Sequence, residues 1–122
     1  MTFEELQQTN LYKGKVISMN KKSIKMMLDS IFPGEEILII TNCNVGSTPG
    51  VITLTSKRAI FTSKVLFNSV RHEFALKNIT SITMTSSLAN TLIIDSFNQK
   101  LTITAIDKNV AQDFISLYNI TI

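Results

Sequence analysis

The chain has 122 residues, 44% of them hydrophobic and 17% charged, with a formal net charge of +3. That length fits one domain with its own core, and so mild a charge leaves no nucleic-acid footprint. A single cysteine, Cys43, and a single histidine, His72, exclude an internal disulfide and fall short of a metal-ligand set.

The opening "MTFEELQQTN" carries two early glutamates and no apolar run, so it does not read as a secretory signal. Thr2 and Glu5 match a capping box, which predicts a short helix ending near Thr9 or Asn10. Residues 12–14 read as a connector. Ile24, Met27, Leu28 and Ile31 fall at i, i+3, i+4 and i+7 and predict a second helix, capped by Ser18 or Asn20 and stopped by Pro33 and Gly34. Lys21, Lys22 and Lys25 lie off its apolar stripe.

From Glu35 onward the period becomes that of strands. "EEILIITNC", "VITLTS", "RAIFTS", "VRHEFAL", "SITMT", "TLIID" and "KLTITAI" read as seven strands, spaced as in a sandwich or barrel. Alternation puts Val70, His72, Phe74 and Leu76 on one face, with Arg71, Glu73 and Ala75 opposite. "NVGSTPG" reads as a loop, "SSLAN" as a connection and "SFNQ" as a turn. Asp107 is a good cap for a last helix, whose Val110, Ala111, Phe114, Ile115 and Tyr118 form one apolar face.

Seven antiparallel strands followed by one helix is the element order of a pleckstrin-homology (PH) domain. "GVITLTSKRAIFTSKVLFNS" and "EFALKNITSI" resemble the bacterial PH-like family of the YokE-like type. Gly50, Leu54, Thr55, Arg58, Phe61, Leu66, Phe67, Glu73, Phe74, Leu76, Ile79 and Ile82 match its pattern, and "ITAIDKNVAQDFISLY" resembles its ending. The resemblance spans residues 35–118. It implies a mainly β (α+β) fold: a PH-like barrel of about seven antiparallel strands in two nearly orthogonal sheets with a C-terminal capping helix. That domain occupies residues 34–122, after an N-terminal helical extension at 1–33. The family often flanks its Leu-Phe pair with glycine, where this chain has Val65 and Asn68.

The chemistry-bearing residues are sparse. Cys43 and His72 as nucleophile and base would lack an orienting third group, so a buried thiol and a sheet histidine are expected. Lipid-binding PH domains, by the resemblance, carry basic residues between their first two strands, and residues 42–50 contain no Lys or Arg. Specific phosphoinositide binding is therefore not expected. Lys57 and Arg58 read as a polar turn pair rather than an anion site, with Arg58 meeting Glu73 as a surface pair.

The stretch "SKVLFNS" is the exception, because it puts Val65, Leu66 and Phe67 behind Lys64 where a polar loop belongs. In the PH topology Phe97 joins them at one open rim. Either Leu66 or Phe67 folds inward and plugs the barrel mouth, or the patch is exposed and marks an interface. The leading expectation is a non-catalytic cytoplasmic module that binds protein, copies of itself included, through Lys64, Val65, Leu66, Phe67 and Phe97. Thr-rich strand edges such as "SITMT" offer a second route to self-association. The alternative is peripheral membrane attachment by the same rim with Lys21, Lys22 and Lys25. Nothing indicates a cofactor, a metal, a nucleic acid or a small-molecule substrate.

Overall fold

The computed structural model describes residues 1–15, 18–85 and 90–122. Helix α1 (Phe3–Gln7) starts in the predicted capping box: the Glu5 N–H donates to Thr2 Oγ1 at 3.1 Å, and the Thr2 N–H donates to Glu5 Oε1 at 3.3 Å. The residues expected to be a connector contain a strand instead. Strand β1 (Tyr12–Lys13) pairs in parallel with Ile40 and Thr41. Two residues leave no periodicity to read. Helix α2 (Ser18–Asp29) then begins early enough that Asn20, a predicted cap, stands inside it and is buried. The capping role expected of the Ser18 side chain, and residues 86–89 of "SSLAN", lie outside the described residues.

Seven strands follow: β2 (Ile37–Val45), β3 (Thr48–Thr55), β4 (Arg58–Val65), β5 (Asn68–Ala75), β6 (Ile79–Thr85), β7 (Thr91–Ser96) and β8 (Lys100–Ile103). The first four pair antiparallel in one sheet, with β1 added at its margin, and the last three form a second sheet. An antiparallel bridge between Asn44 and Thr104 joins the two. Helix α3 (Lys108–Thr121) closes the space between them. Asp107 caps it by accepting from the Asn109 and Val110 N–H groups, and Ala111, Phe114 and Tyr118 are buried in the core. The Tyr118 hydroxyl donates to the Ile79 carbonyl at 3.3 Å.

Strand β3 is buried on both faces. Ile52 and Leu54 point into the barrel core, whereas Val51 joins Ile40, Ile24, Met27, Phe3 and Leu6 in a second core on the outer face. The α2 stripe is what covers that face. Two threonines there satisfy their hydroxyls locally, Thr62 Oγ1 donating to the Ser23 carbonyl at 2.9 Å and Thr41 Oγ1 to the Lys13 carbonyl at 2.7 Å, whereas the buried Thr53 hydroxyl has no partner among the described residues. Gly50 is needed where β3 crosses Phe61. A β-carbon at that position would collide with the Thr62 carbonyl oxygen and stand 2.8 Å from Phe61 Cζ.

Three turns gather at one end of the barrel. Pairing of Val45 with Thr48 leaves only residues 46–47 between β2 and β3, so the long loop expected at 42–50 is a tight turn. Strands persist through this polar stretch because ladder pairing continues to Asn44 and Pro49. The β4–β5 turn, residues 66–67, lies at the same end by antiparallel register. The Asn44–Thr104 bridge carries the β7–β8 turn, residues 97–99, to that end as well.

Arg58 holds the other end. Its Nε and Nη2 donate to the two oxygens of Glu35 at 2.9 and 2.7 Å, Nη2 donates to the Ser30 carbonyl at 2.8 Å, and Nη1 donates to Glu73 at 2.7 Å. The Phe32 ring lies over the guanidinium, 4.4 Å from ring centroid to Cζ. The expected pairing with Glu73 is present, but the surface pair is corrected to a buried cluster: Arg58 is 6% exposed and the Glu35 carboxylate is fully covered. With four of its five N–H groups committed, Arg58 is no anion site.

Burial alone would raise the Glu35 pKa. Donors from Arg58, Thr55 and the Phe32 N–H overcome it and hold the carboxyl down at about 2, against an ordinary 4.5. A depressed folded pKa means stability that is complete above 4.5 and lost as pH falls towards about 2. Urea midpoints measured from pH 6 to pH 2 are expected to fall through that window, and Glu35→Gln is expected to flatten the slope. The same variant should lose about 3–5 kcal/mol at neutral pH, because it leaves Arg58 buried without its counter-charge. Gly50→Ala, read by the same titration, is expected to cost about 1–3 kcal/mol or more through overpacking.

Candidate docking site

The β4–β5 hairpin ends in the shortest turn a hairpin uses. Val65 pairs with Asn68, so Leu66 and Phe67 alone form the tip. In such a turn the first residue often needs a left-handed backbone, which glycine supplies most cheaply. At the neighbouring β2–β3 turn Gly46 does so, with φ of 61°. At the β4–β5 tip the left-handed residue is Leu66, with φ of 54°. A leucine held there costs roughly 1–2 kcal/mol of backbone strain. The strain falls on Leu66 itself, not on the flanking positions where the family pattern places glycine.

Neither tip side chain folds inward. Leu66 is 78% exposed and Phe67 is fully exposed, so the plugged-mouth expectation is set aside. Phe61, Ile103 and Phe114 are among the buried side chains of the barrel core, and neither tip residue joins them. Val65 is half-buried against the strands. Phe97 is also highly exposed, on the β7–β8 turn at the same end.

Helix α2 brings charge to this tip. The Lys64 N–H donates to Ser23 Oγ at 2.9 Å, and Thr62 holds the Ser23 carbonyl, so one helical residue is stapled to the end of β4. Lys22, Lys25, Met26 and Asp29 consequently line one groove with Lys64, about 460 Å³ in volume. Three lysines face one aspartate there. Lys21 is not part of it, because it turns away to lie over the Phe3 ring at 5.1 Å. Met26 and Asp29 were not singled out in the sequence, although Lys22, Lys25, Met26 and Asp29 recur at i, i+3, i+4 and i+7, the spacing of one helical face.

The other candidates do not assemble. Cys43 lies on β2 and His72 on β5, with two strands between them. That separation is roughly 14 Å along the sheet, beyond any proton transfer. Burial also pushes the Cys43 thiol up to about 12, which leaves it unreactive. His72 stacks instead on Phe61, ring centroids 6.0 Å apart. The β2–β3 turn carries no basic residue. Among the described residues no group of three or more His, Cys, Asp and Glu side chains could hold a metal, and no helix is long and apolar enough to cross a membrane.

Comparison with known proteins agrees with this architecture. The C-terminal domain of an unknown protein from Leishmania infantum superposes with a TM-score of 0.58 at 20% identity, over 81% of this chain and 91% of that one. The Vps36 N-terminal PH domain superposes with a TM-score of 0.54 at 17% identity, over 75% of this chain and 81% of that one. No curated protein matches the sequence. The family model of the bacterial PH domain matches residues 31–120, from the end of α2 to the end of α3. The chain therefore belongs to the bacterial PH domain family.

Proposed function

We propose that the chain is a non-catalytic module that attaches peripherally to an anionic membrane surface, with Leu66 and Phe67 as an apolar wedge and Lys22, Lys25 and Lys64 as its charged flank. The observation that carries this reading is the strained, exposed Leu66 beside a lysine-lined groove. A protein conserves stability elsewhere by placing glycine in such a turn, so a leucine there points to use of its side chain.

Magnitudes favour a lipid surface over a protein at this tip. Two protruding side chains offer about 300–400 Å², whereas a stable protein interface takes about 800 Å² from each partner. Burying the two in lipid contributes about 3–6 kcal/mol. Each lysine close to an anionic surface adds about 1 kcal/mol. Neither part anchors the chain firmly alone, and together they give reversible binding, the usual two-signal arrangement. The anionic face meant is the cytoplasmic one. Residues 1–33 act in this reading as an extension that supplies Lys22 and Lys25, with the PH domain at 34–122 supplying Lys64 and the wedge.

Co-sedimentation with vesicles containing phosphatidylserine tests it. The chain is expected to bind these and not neutral vesicles, with affinity falling as salt rises. Leu66→Asp with Phe67→Asp should lower binding at least about 100-fold, the equivalent of about 3 kcal/mol. Leu66→Gly is the sharper variant, because it relieves the turn: it should bind more weakly and yet unfold at a higher urea concentration. Equal binding to neutral and anionic vesicles, or wild-type binding by Leu66→Gly, would contradict the proposal.

A further inference from the structure

Strand β5 pairs only with β4, and its other edge meets no strand among the described residues. Its backbone direction follows from the ladder. The Leu76 N–H donates to the Lys57 carbonyl at 2.9 Å, one step beyond the Arg58–Ala75 pair. In an antiparallel ladder such hydrogen-bonded pairs alternate with non-hydrogen-bonded ones. The even-numbered residues of β5 therefore turn their N–H and C=O groups towards β4. Ser69, Arg71, Glu73 and Ala75 turn theirs to the free edge.

A charged edge ordinarily discourages strand addition. Here the charges have a spacing that changes the sign of that effect for one partner. Arg71 and Glu73 are two residues apart on the outward face, each a little over a third exposed. We propose that β5 pairs antiparallel with β5 of a second copy, about a two-fold axis through His72. Arg71 of each chain then stands directly opposite Glu73 of the other, and Ser69 opposite Ala75, so all four outward-facing residues meet as hydrogen-bonded pairs. Val70 falls opposite Phe74 on the inner face. A register two residues away sets Arg71 against Arg71 and loses both cross-strand ion pairs, so the charges select one register. The Arg71–Glu73 pair within each chain persists and becomes one half of a four-membered alternating array.

The interface is separate from the apolar tip, and the experiment keeps them apart. Sedimentation velocity of the whole chain is expected to show a concentration-dependent dimer of twice 13.6 kDa. Arg71→Pro, which removes the guanidinium and an N–H that faces the edge rather than β4, should leave a folded monomer. Arg71→Glu, which sets like charges opposite one another, should weaken the dimer at least about tenfold, and Arg71→Lys should retain it. The Leu66→Asp, Phe67→Asp variant should dimerise as the wild type does.

Register is read by cross-linking. The two copies of residue 72 form a non-hydrogen-bonded pair with Cα atoms about 4.5 Å apart, within disulfide reach. His72→Cys is expected to oxidise to a covalent dimer and Ser69→Cys to resist, with buried Cys43 silent in both. A wild-type monomer at all concentrations, a dimer that survives Arg71→Pro, or cross-linking at residue 69 in preference to 72 would each overturn the proposal.

Discussion

Everything at the rim depends on a charge buried at the far end. The Arg58 guanidinium joins the end of α2 through Ser30, the start of β2 through Glu35 and the end of β5 through Glu73. Three segments are thereby fixed against the start of β4 around one group that cannot lose its proton. Burying it costs solvation, and the cluster offsets that cost only because nearly every donor finds an acceptor. With this end locked, the hairpin of β4 and β5 projects its other end, the tip, in a defined direction.

The sheet between these ends is unusual in being covered on both sides. Inside lies the barrel core closed by α3; outside lie α1 and α2. The outer cover positions the lysines, since Ser23 fastens α2 to the end of β4. The site thus joins two stretches far apart in sequence: Lys22 and Lys64 are brought together by a helix laid across strands. The two proposed surfaces also constrain each other. Antiparallel pairing about His72 points the two tips in opposite directions, roughly 35–40 Å apart at about 3.4 Å per residue of strand. A paired molecule presents one tip to any single flat surface and leaves the other free to meet a second.

Much of the architecture was legible in residues. The Thr2–Glu5 box, the α2 stripe, the seven strands and the Asp107 cap are local patterns, and local physics enforces them. What could not be read were long-range matters. Glu35 gives no sign in sequence that it will meet Arg58, because the turn at Pro33 and Gly34 that returns it leaves no spacing rule. Residues 42–50 looked like a loop because Asn, Gly, Ser and Pro predominate, yet ladder pairing absorbed all but two of them. Threonines on β3 are ambiguous between core and surface, so alternation concealed the second buried face. The tip itself, three apolar residues after a lysine, was visible as an anomaly. Whether it plugged or protruded turned on the Val65–Asn68 register.

The central claim is that Phe67 enters a lipid surface, and one measurement addresses it directly. The chain contains no tryptophan, so Phe67→Trp creates a single reporter at the tip. On addition of phosphatidylserine-containing vesicles its emission is expected to shift to shorter wavelength and to be quenched by brominated acyl chains, and salt should reverse both. Emission that stays at its aqueous position, with no quenching by those lipids, would contradict the account.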